Sequence, residues 1–361
     1  MRTLLVVSVV SLFLYSCGTR HEQKKEGYTP LRLEFAKNFK LDSCASGIRL
    51  SIGEKGGKTW NFILSEKKPS HLASDLVWIR IPVENFLTLA GTDVGMLAEL
   101  KEEDRIAGVG NGKTIFSKYV KKNLRNGKIR DFNTWEQIPF EQLMQTGVNV
   151  ITYSNFGKDY PHAKELEKAG IICLPILDWK EEHPLGKAEW IKLYGYLTGR
   201  SEMAKTYFSR LHTSYNNLKK EAQTYTTHPT VFCGNQTGEF WFCPSGESYE
   251  AKLIADAGGN YIYKNTKGTG SLSLPPEKVL TTNKETQIWL NPGIDTRELL
   301  HKKHPRSVFF DAFNQGNVFC YSARMNYYWE NAAVAPDKVL SDLIAIFHRK
   351  NKTLHFYSKL K

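Results

Sequence analysis

Residues 201–224 read SEMAKTYFSRLHTSYNNLKKEAQT, a stretch without Gly or Pro in which Met203, Tyr207, Phe208, Leu211, Tyr215 and Leu218 recur at helical spacing. An apolar stripe on an otherwise polar run predicts one continuous amphipathic helix. At 1.5 Å per residue it would extend roughly 35 Å, about the diameter of a small domain. A helix that long in mid-chain acts as a connector, so the flanking segments must supply the cores.

Both flanks alternate strands with helices. Upstream, Val77–Pro82, Phe86–Leu89, Ile106–Val109, Val148–Tyr153 and Ile171–Ile176 read as strands, with helices over Asp93–Leu100 and His162–Ala169. Downstream, Thr230–Cys233, Phe240–Phe242, Gln287–Leu290 and Asn317–Tyr321 read as strands. Tyr249–Ala257, closed by Gly258-Gly259, and Pro336–His348, with Pro in its first turn, read as helices. Strands and helices at this spacing favour mainly parallel sheets covered on both faces. The fold expected is α/β: two Rossmann-like lobes with mainly parallel sheets, joined by a single long α-helix, with a ligand cleft between the lobes. The N-terminal lobe spans 31–184, the helical linker 185–228 and the C-terminal lobe 229–361. Alternation over Leu31–Leu64 adds two or three strands ahead of the first lobe.

The chain begins with a different kind of segment. Arg2 precedes an apolar run, Leu4–Leu14, that closes on Leu14-Tyr15-Ser16-Cys17. It is too short to span a bilayer, which takes about 20 apolar residues. It resembles a bacterial lipoprotein signal (residues 1–17), with Cys17 as the lipidated residue; an ordinary secretory signal is the alternative. Residues 18–30, largely polar and charged, form a tether. This places the mature chain lipid-anchored on the periplasmic side of a bacterial membrane.

The 361 residues carry a formal charge of +12, with 41% hydrophobic and 24% charged residues, the balance of a globular protein. The positive excess favours anionic partners; outside the cytoplasm this means small anions or a membrane surface, not nucleic acid. Besides Cys17, five cysteines remain, and an odd number cannot all pair within one chain. Cys233 and Cys243 flank a hairpin-like stretch and are either bridged or free thiols. No cysteine or histidine spacing suits a metal, and no Gly-x-Ser-x-Gly elbow is present.

Six blocks carry a family resemblance: IRIPVENFLTLAGTDVGMLAELKEEDRIAGVG (79–110), GKIRDFNTWEQIPFEQLMQTGVNVITY (127–153), HPLGKAEWIKLYGYLTGRSEMAKTYF (183–208), SGESYEAKLIADAGGNYIY (245–263), SLSLPPEKVL (271–280) and YYWENAAVAPDKVLSDLIAIFH (327–348). In order and spacing the chain resembles the cobalamin- and ferric-siderophore-binding proteins that feed ABC importers. The resemblance implies a monomeric, non-enzymatic capture protein without a cofactor, which delivers a metal-chelate ligand to an ABC permease. It also implies that a carboxylate on each lobe, Glu141 in IPFEQL and Glu277 in LPPEKV, meets arginines of that permease.

Ligands of open α/β sheets sit beyond the carboxyl ends of the strands. This selects Thr92 and Asp93, Asn155 and Phe156, Trp179, Trp241, and the loop-like run Arg324-Met-Asn326-Tyr327-Tyr328-Trp329. The aromatics offer flat faces to a macrocycle or catechol, and Arg324 offers a cation to its oxygens. Ferric siderophore, cobalamin and haem suit such a cleft, in that order. Two other readings remain open: a haem or siderophore carrier acting without a permease, and a nucleotide-binding enzyme using Ala107-Gly-Val-Gly-Asn-Gly-Lys-Thr114 as a phosphate loop.

Overall fold

The computed structural model describes residues 27–134 and 138–361; Cys17 and most of the tether lie outside them. In chain order the strands are β1 (Thr29–Leu31), β2 (Phe39–Cys44), β3 (Gly47–Gly53), β4 (Thr59–Ser65), β5 (Leu76–Arg80), β6 (Phe86–Thr88), β7 (Ile106–Val109), β8 (Arg130–Asp131), β9 (Val150–Ser154), β10 (Ile172–Ile176), β11 (Thr230–Cys233), β12 (Asn235–Thr237), β13 (Phe240–Pro244), β14 (Asn260–Tyr261), β15 (Ser271–Leu274), β16 (Ile288–Leu290), β17 (Val318–Cys320) and β18 (Ser358–Lys359). They form a parallel sheet ordered β10-β9-β6-β7-β8 in the first lobe and a sheet ordered β14-β11-β16-β17-β18 in the second, parallel except at β18. The α/β reading with mainly parallel sheets in two lobes holds.

Two strands lie elsewhere than the sequence suggested. Val77-Trp78-Ile79 belongs to β5, which closes a separate five-stranded sheet, β1 to β5 in order, built by residues 29–80. Phe240-Trp241-Phe242 lies in β13, the centre of a small antiparallel sheet, β12-β13-β15. Both strands are as apolar as a parallel-sheet strand, so composition alone does not separate them.

The N-terminal sheet docks through two buried carboxylates. Glu189 accepts the backbone N–H groups of Glu34, Phe35 and Ala36 at 2.8–3.0 Å. Glu181 accepts those of Lys37 and Asn38 at 2.9 and 3.1 Å and the Trp190 indole at 2.9 Å, and the Trp190 ring lies 4.6 Å from Phe39. Buried carboxylates are tolerable when several donors converge on them, and here a turn of backbone wraps each one.

The connecting helix runs Ser201–Ala222 and buries Phe208, Leu211 and Tyr215 of the stripe read from the sequence, together with Ala204 and Ala222, while Tyr207 and Leu218 are half-buried and Met203 is exposed. It is pinned to the second lobe by Tyr207 donating to the Val334 carbonyl (2.9 Å), and by Tyr215 and Lys219 on Asp256 (2.9 and 3.0 Å). A second junction joins the lobes. The helix Met325–Asn331 crosses the helix Gly91–Glu99 so closely that a Cβ on Gly95 would sit 1.9 Å from the Glu330 carbonyl oxygen. The Glu330 carboxylate also accepts the N–H groups of Phe116 (2.7 Å) and Ser117 (3.1 Å).

Alanine in a helix is intrinsically better than glycine by about 1 kcal/mol. At Gly95 the obstacle is backbone, which cannot swing aside, so sterics outweigh propensity. Gly95→Ala is expected to destabilise by about 1–3 kcal/mol, seen as a lower denaturation midpoint. Gly57→Ala, whose Cβ would meet nothing nearer than 3.6 Å, is the control and should shift little.

Candidate ligand-binding cleft

Where strand order reverses in a parallel sheet, the loops on either side leave in opposite directions and open a crevice. The reversals fall between β6 and β9 in one lobe and between β11 and β16 in the other. The loops after β6, β9 and β10 line a cavity of about 1150 Å³ whose opposite wall is Pro244, Ser248–Glu250, residues 269–271 and one face of the helix Met325–Asn331.

Its walls are aromatic. Phe156, 75% exposed, lies 5.0 Å from the Trp179 ring, and Trp329 is 44% exposed across the cleft. Rings this large, left uncovered inside a concavity, offer flat apolar faces to a ligand. The floor is charged. Lys187, from the helix Pro184–Glu189, places Nζ 3.7 Å from Asp178 Oδ2 and 4.7 Å from the centre of the Tyr249 ring. Burial opposes the Lys187 charge, but Tyr249, Asp178 and Glu250 around it raise its pKa. Burial pushes the Glu250 carboxyl up to about 6, with Lys187 working against the rise.

The rim is held from outside the lobe. Asp159 accepts from Lys58 Nζ (2.7 Å), in the turn before β4, and from the Trp60 indole (3.0 Å), on β4, and the Lys58 hydrogen bond lowers its pKa. Lys180, next to Trp179, is ion-paired with Glu54 in the turn between β3 and β4.

Of the residues selected from sequence, Thr92, Phe156, Trp179, Asn326 and Trp329 line the cavity. The others lie behind its walls. Asn155 is buried and shapes its own loop, accepting from Gly157 N (2.8 Å) and donating to the Lys158 carbonyl (2.7 Å). Trp241 sits in a core stack with Phe232, Trp289 and Phe310 and donates to the Cys233 carbonyl at 2.9 Å. Arg324 donates to the carbonyls of Leu354 and His355, at 3.2 and 2.8 Å. Tyr327 packs 4.7 Å from Phe116, and Tyr328 stacks on Tyr321 at 3.8 Å. The run read as a loop is a helix, and its period sorts the aromatics: Met325, Asn326 and Trp329 share the cleft face, while Tyr327 and Tyr328 turn to the core. Lys187, Tyr249 and Glu250 were not selected, and of the candidate loop Asp178-Trp179-Lys180 only Trp179 was. The Ser248 cap, whose Oγ accepts from Ala251 N at 3.2 Å, marks the helix start that delivers Tyr249 and Glu250.

The stretch Ala107–Thr114 is no phosphate cradle. Asp131 accepts the Gly112 N–H, Asn111 the Lys113 N–H, and the Thr88 carbonyl the Gly110 N–H, so the amides a phosphate would need are occupied. Gly112–Thr114 makes a single 3-10 turn, and the next α-helix starts only at Lys118. Its place in the molecule is at the lobe junction, where the Lys113 carbonyl accepts from Asn326 Nδ2 at 2.8 Å. The cysteines of the described residues are free thiols, Cys233 and Cys243 included. Among the described residues no cluster of three or more His, Cys, Asp or Glu is placed to hold a metal. Glu141 and Glu277 each stand in the first turn of a short helix, Phe140–Met144 and Pro276–Asn283, and both are exposed. Glu277 is paired with Arg306 at 2.9 Å, which lowers its pKa.

Two α/β lobes, a long connecting helix and an aromatic cleft that opens at the first lobe's reversal point and is walled by the second lobe define a two-lobed solute-binding protein. The chain belongs to the Periplasmic binding protein family, whose pattern it matches over residues 87–322. It is 25% identical over 295 residues to an uncharacterized lipoprotein of Methanocaldococcus jannaschii, covering 78% of this chain and 70% of the relative. A second uncharacterized lipoprotein of that organism is 24% identical over 361 residues, covering 94% of this chain and 89% of the relative. Similar solved structures include a periplasmic haem-binding protein of Pseudomonas aeruginosa (TM-score 0.59, 15% identity, 77% of this chain and 98% of that one). The periplasmic vitamin B12-binding protein of Vibrio cholerae is another (TM-score 0.54, 11% identity, 75% and 99%).

Directly beneath Thr92, Asp93 is buried and accepts from Thr152 Oγ1 and Tyr194 OH, each at 2.6 Å. Burial pushes its carboxyl from an ordinary 3.8 up to about 7 despite those bonds. The folded state therefore holds a proton that the unfolded chain releases, and stability falls as pH rises between these values, by up to about 1.4 kcal/mol per unit. Asp93→Asn should remove this slope: the denaturation midpoint of the parent should fall more steeply than the variant's from pH 5 to 8. Parallel profiles would show that Asp93 titrates normally.

Proposed function

We propose that this chain is an extracytoplasmic solute-binding lipoprotein that captures a metal chelate of the siderophore, cobalamin or haem type between its lobes and delivers it to an ABC transporter permease. The observation that carries the reading is the cleft, which places Phe156, Trp179 and Trp329 around a cavity of about 1150 Å³, room enough for a macrocycle. Membership of the Periplasmic binding protein family, lipoprotein relatives and the Cys17 leader support an anchored position outside the cytoplasm. The connecting helix and the Gly95–Glu330 contact favour a small hinge between the lobes over wide closure.

In this reading the loaded protein docks through Glu141 and Glu277. Arg306 already occupies Glu277, but both side chains are more than half exposed, and an exposed pair is worth about 0–1 kcal/mol. A permease arginine can therefore replace it. Reversing both charges, Glu141→Lys with Glu277→Lys, is expected to abolish uptake of a bound ligand in cells while leaving its affinity for the purified protein unchanged. Normal uptake by the double variant would rule out delivery through these carboxylates. Absence of binding to any metal chelate would rule out the capture role itself.

A further inference from the structure

From Lys113 to Arg130 the sequence holds seven Lys or Arg and no Asp or Glu, although the chain as a whole has 49 of the first kind against 37 of the second. The helix Lys118–Arg125 carries four of these cations, Lys118, Lys121, Lys122 and Arg125, at i, i+3, i+4 and i+7. That spacing lines them up as one exposed row, while Val120 and Asn123 on the opposite side are buried. The Ser117 cap, whose Oγ accepts from Val120 N at 3.2 Å, fixes where the helix starts and so which way the row faces. The helix leads into β8, the edge strand of the first lobe's sheet, and none of the four cations lines the cleft.

The row is unfavourable for the helix that carries it. Lys118 with Lys122 and Lys121 with Arg125 are like charges at i, i+4, and Lys118 in the first turn opposes the helix dipole. Among the described residues none of the four is in an ion pair. A solvated helix face ordinarily mixes signs, as the connecting helix does where Lys205 meets Glu202 at 2.7 Å. Beside the row stands Phe116, 41% exposed, with Lys121 Nζ 5.7 Å from the centre of its ring. A repulsive row with no acid inside the molecule to balance it is complementary to negative charge outside.

We propose that this row is a membrane contact: Lys118, Lys121, Lys122 and Arg125 lie against anionic phospholipid headgroups, with Phe116 at the interface beside them. Cations on one face of an amphipathic helix, next to an exposed ring, are the pattern that binds an anionic bilayer, and each cation near the surface adds to the affinity. The proposal rests on the anchored, extracytoplasmic position given above and is independent of the cargo. A lipid on Cys17 alone would leave the body free to turn on its tether, whereas the row gives the first lobe one preferred side toward the bilayer.

The test takes the chain from residue 17 with Cys17→Ser, which cannot be lipidated, and measures its co-sedimentation with vesicles. Vesicles containing about one-third phosphatidylglycerol are expected to bind it at least about tenfold more tightly than phosphatidylcholine alone, and to release it as NaCl rises from about 0.05 to 0.5 M. Replacing Lys118, Lys121, Lys122 and Arg125 together by Gln is expected to weaken that binding about tenfold or more, without lowering the denaturation midpoint, since the repulsion goes too. Replacing Lys40, Lys55, Lys67 and Lys68 by Gln removes the same charge from exposed sites in the N-terminal layer and should cost less than about twofold. Phe116→Ala keeps every charge and should weaken binding about two- to threefold. No binding of the parent to the anionic vesicles overturns the contact, and equal losses in the two fourfold variants do so by reducing it to net charge. Tighter binding to a double-stranded oligonucleotide than to the vesicles overturns it as well, by assigning the row to a soluble polyanion. Each of these results leaves standing the capture role, which chelate binding tests, and the Cys17 anchor, which the assay omits.

Discussion

The cleft exists because two helices meet without side chains between them. Gly95 allows the backbone of Glu330 to rest against the helix that starts the first lobe, and the Glu330 carboxylate then ties off the amides of Phe116 and Ser117. This contact fixes where Trp329 stands relative to Thr92, and hence the distance between the two walls. The connecting helix sets the same spacing from the other side, through Asp256, which takes both Tyr215 and Lys219. A cavity bounded by two such junctions is largely preformed, which reduces the ordering cost of binding a rigid ligand.

Much of the architecture was legible in the sequence, because periodicity survives without knowledge of partners. The connector, the paired α/β lobes and the final helix all follow from spacing of apolar residues. Sheet membership was less legible: Val77–Ile79 and Phe240–Phe242 are apolar runs that fit a parallel or an antiparallel neighbour equally well. The site was legible only as a neighbourhood. Loops after strands pointed to Thr92, Phe156 and Trp179, but Trp241 and Tyr328 have the same residue types and are core. Which way a ring turns depends on the helix that carries it, and that helix had been read as a loop. Lys187 lies on a helix after the loop that carries Asp178, and Glu250 comes from the second lobe, so the cluster forms only when the lobes meet and has no local sequence signature.

The chemistry of the cleft then differs from the charge of the chain. A formal +12 suggested a cationic trap for anions, yet among the described residues the cleft is lined by the three carboxylates Asp159, Asp178 and Glu250 and the two lysines Lys158 and Lys187, and Arg324 spends its donors on backbone carbonyls. Net charge describes the field that a partner meets at a distance; specificity is decided by the few groups it touches.

The N-terminal sheet lies outside residues 87–322, where the family pattern falls, yet Lys58 and Trp60 hold Asp159, and Glu54 holds Lys180, at the lip of the cavity. The recognition surface is thus an assembly of two modules, in which an accessory layer acts as a splint for loops it does not encode. A chain trimmed to the common two-lobe body would keep its walls and lose the brace on its entrance, so the boundary of the functional unit lies upstream of the boundary of the family.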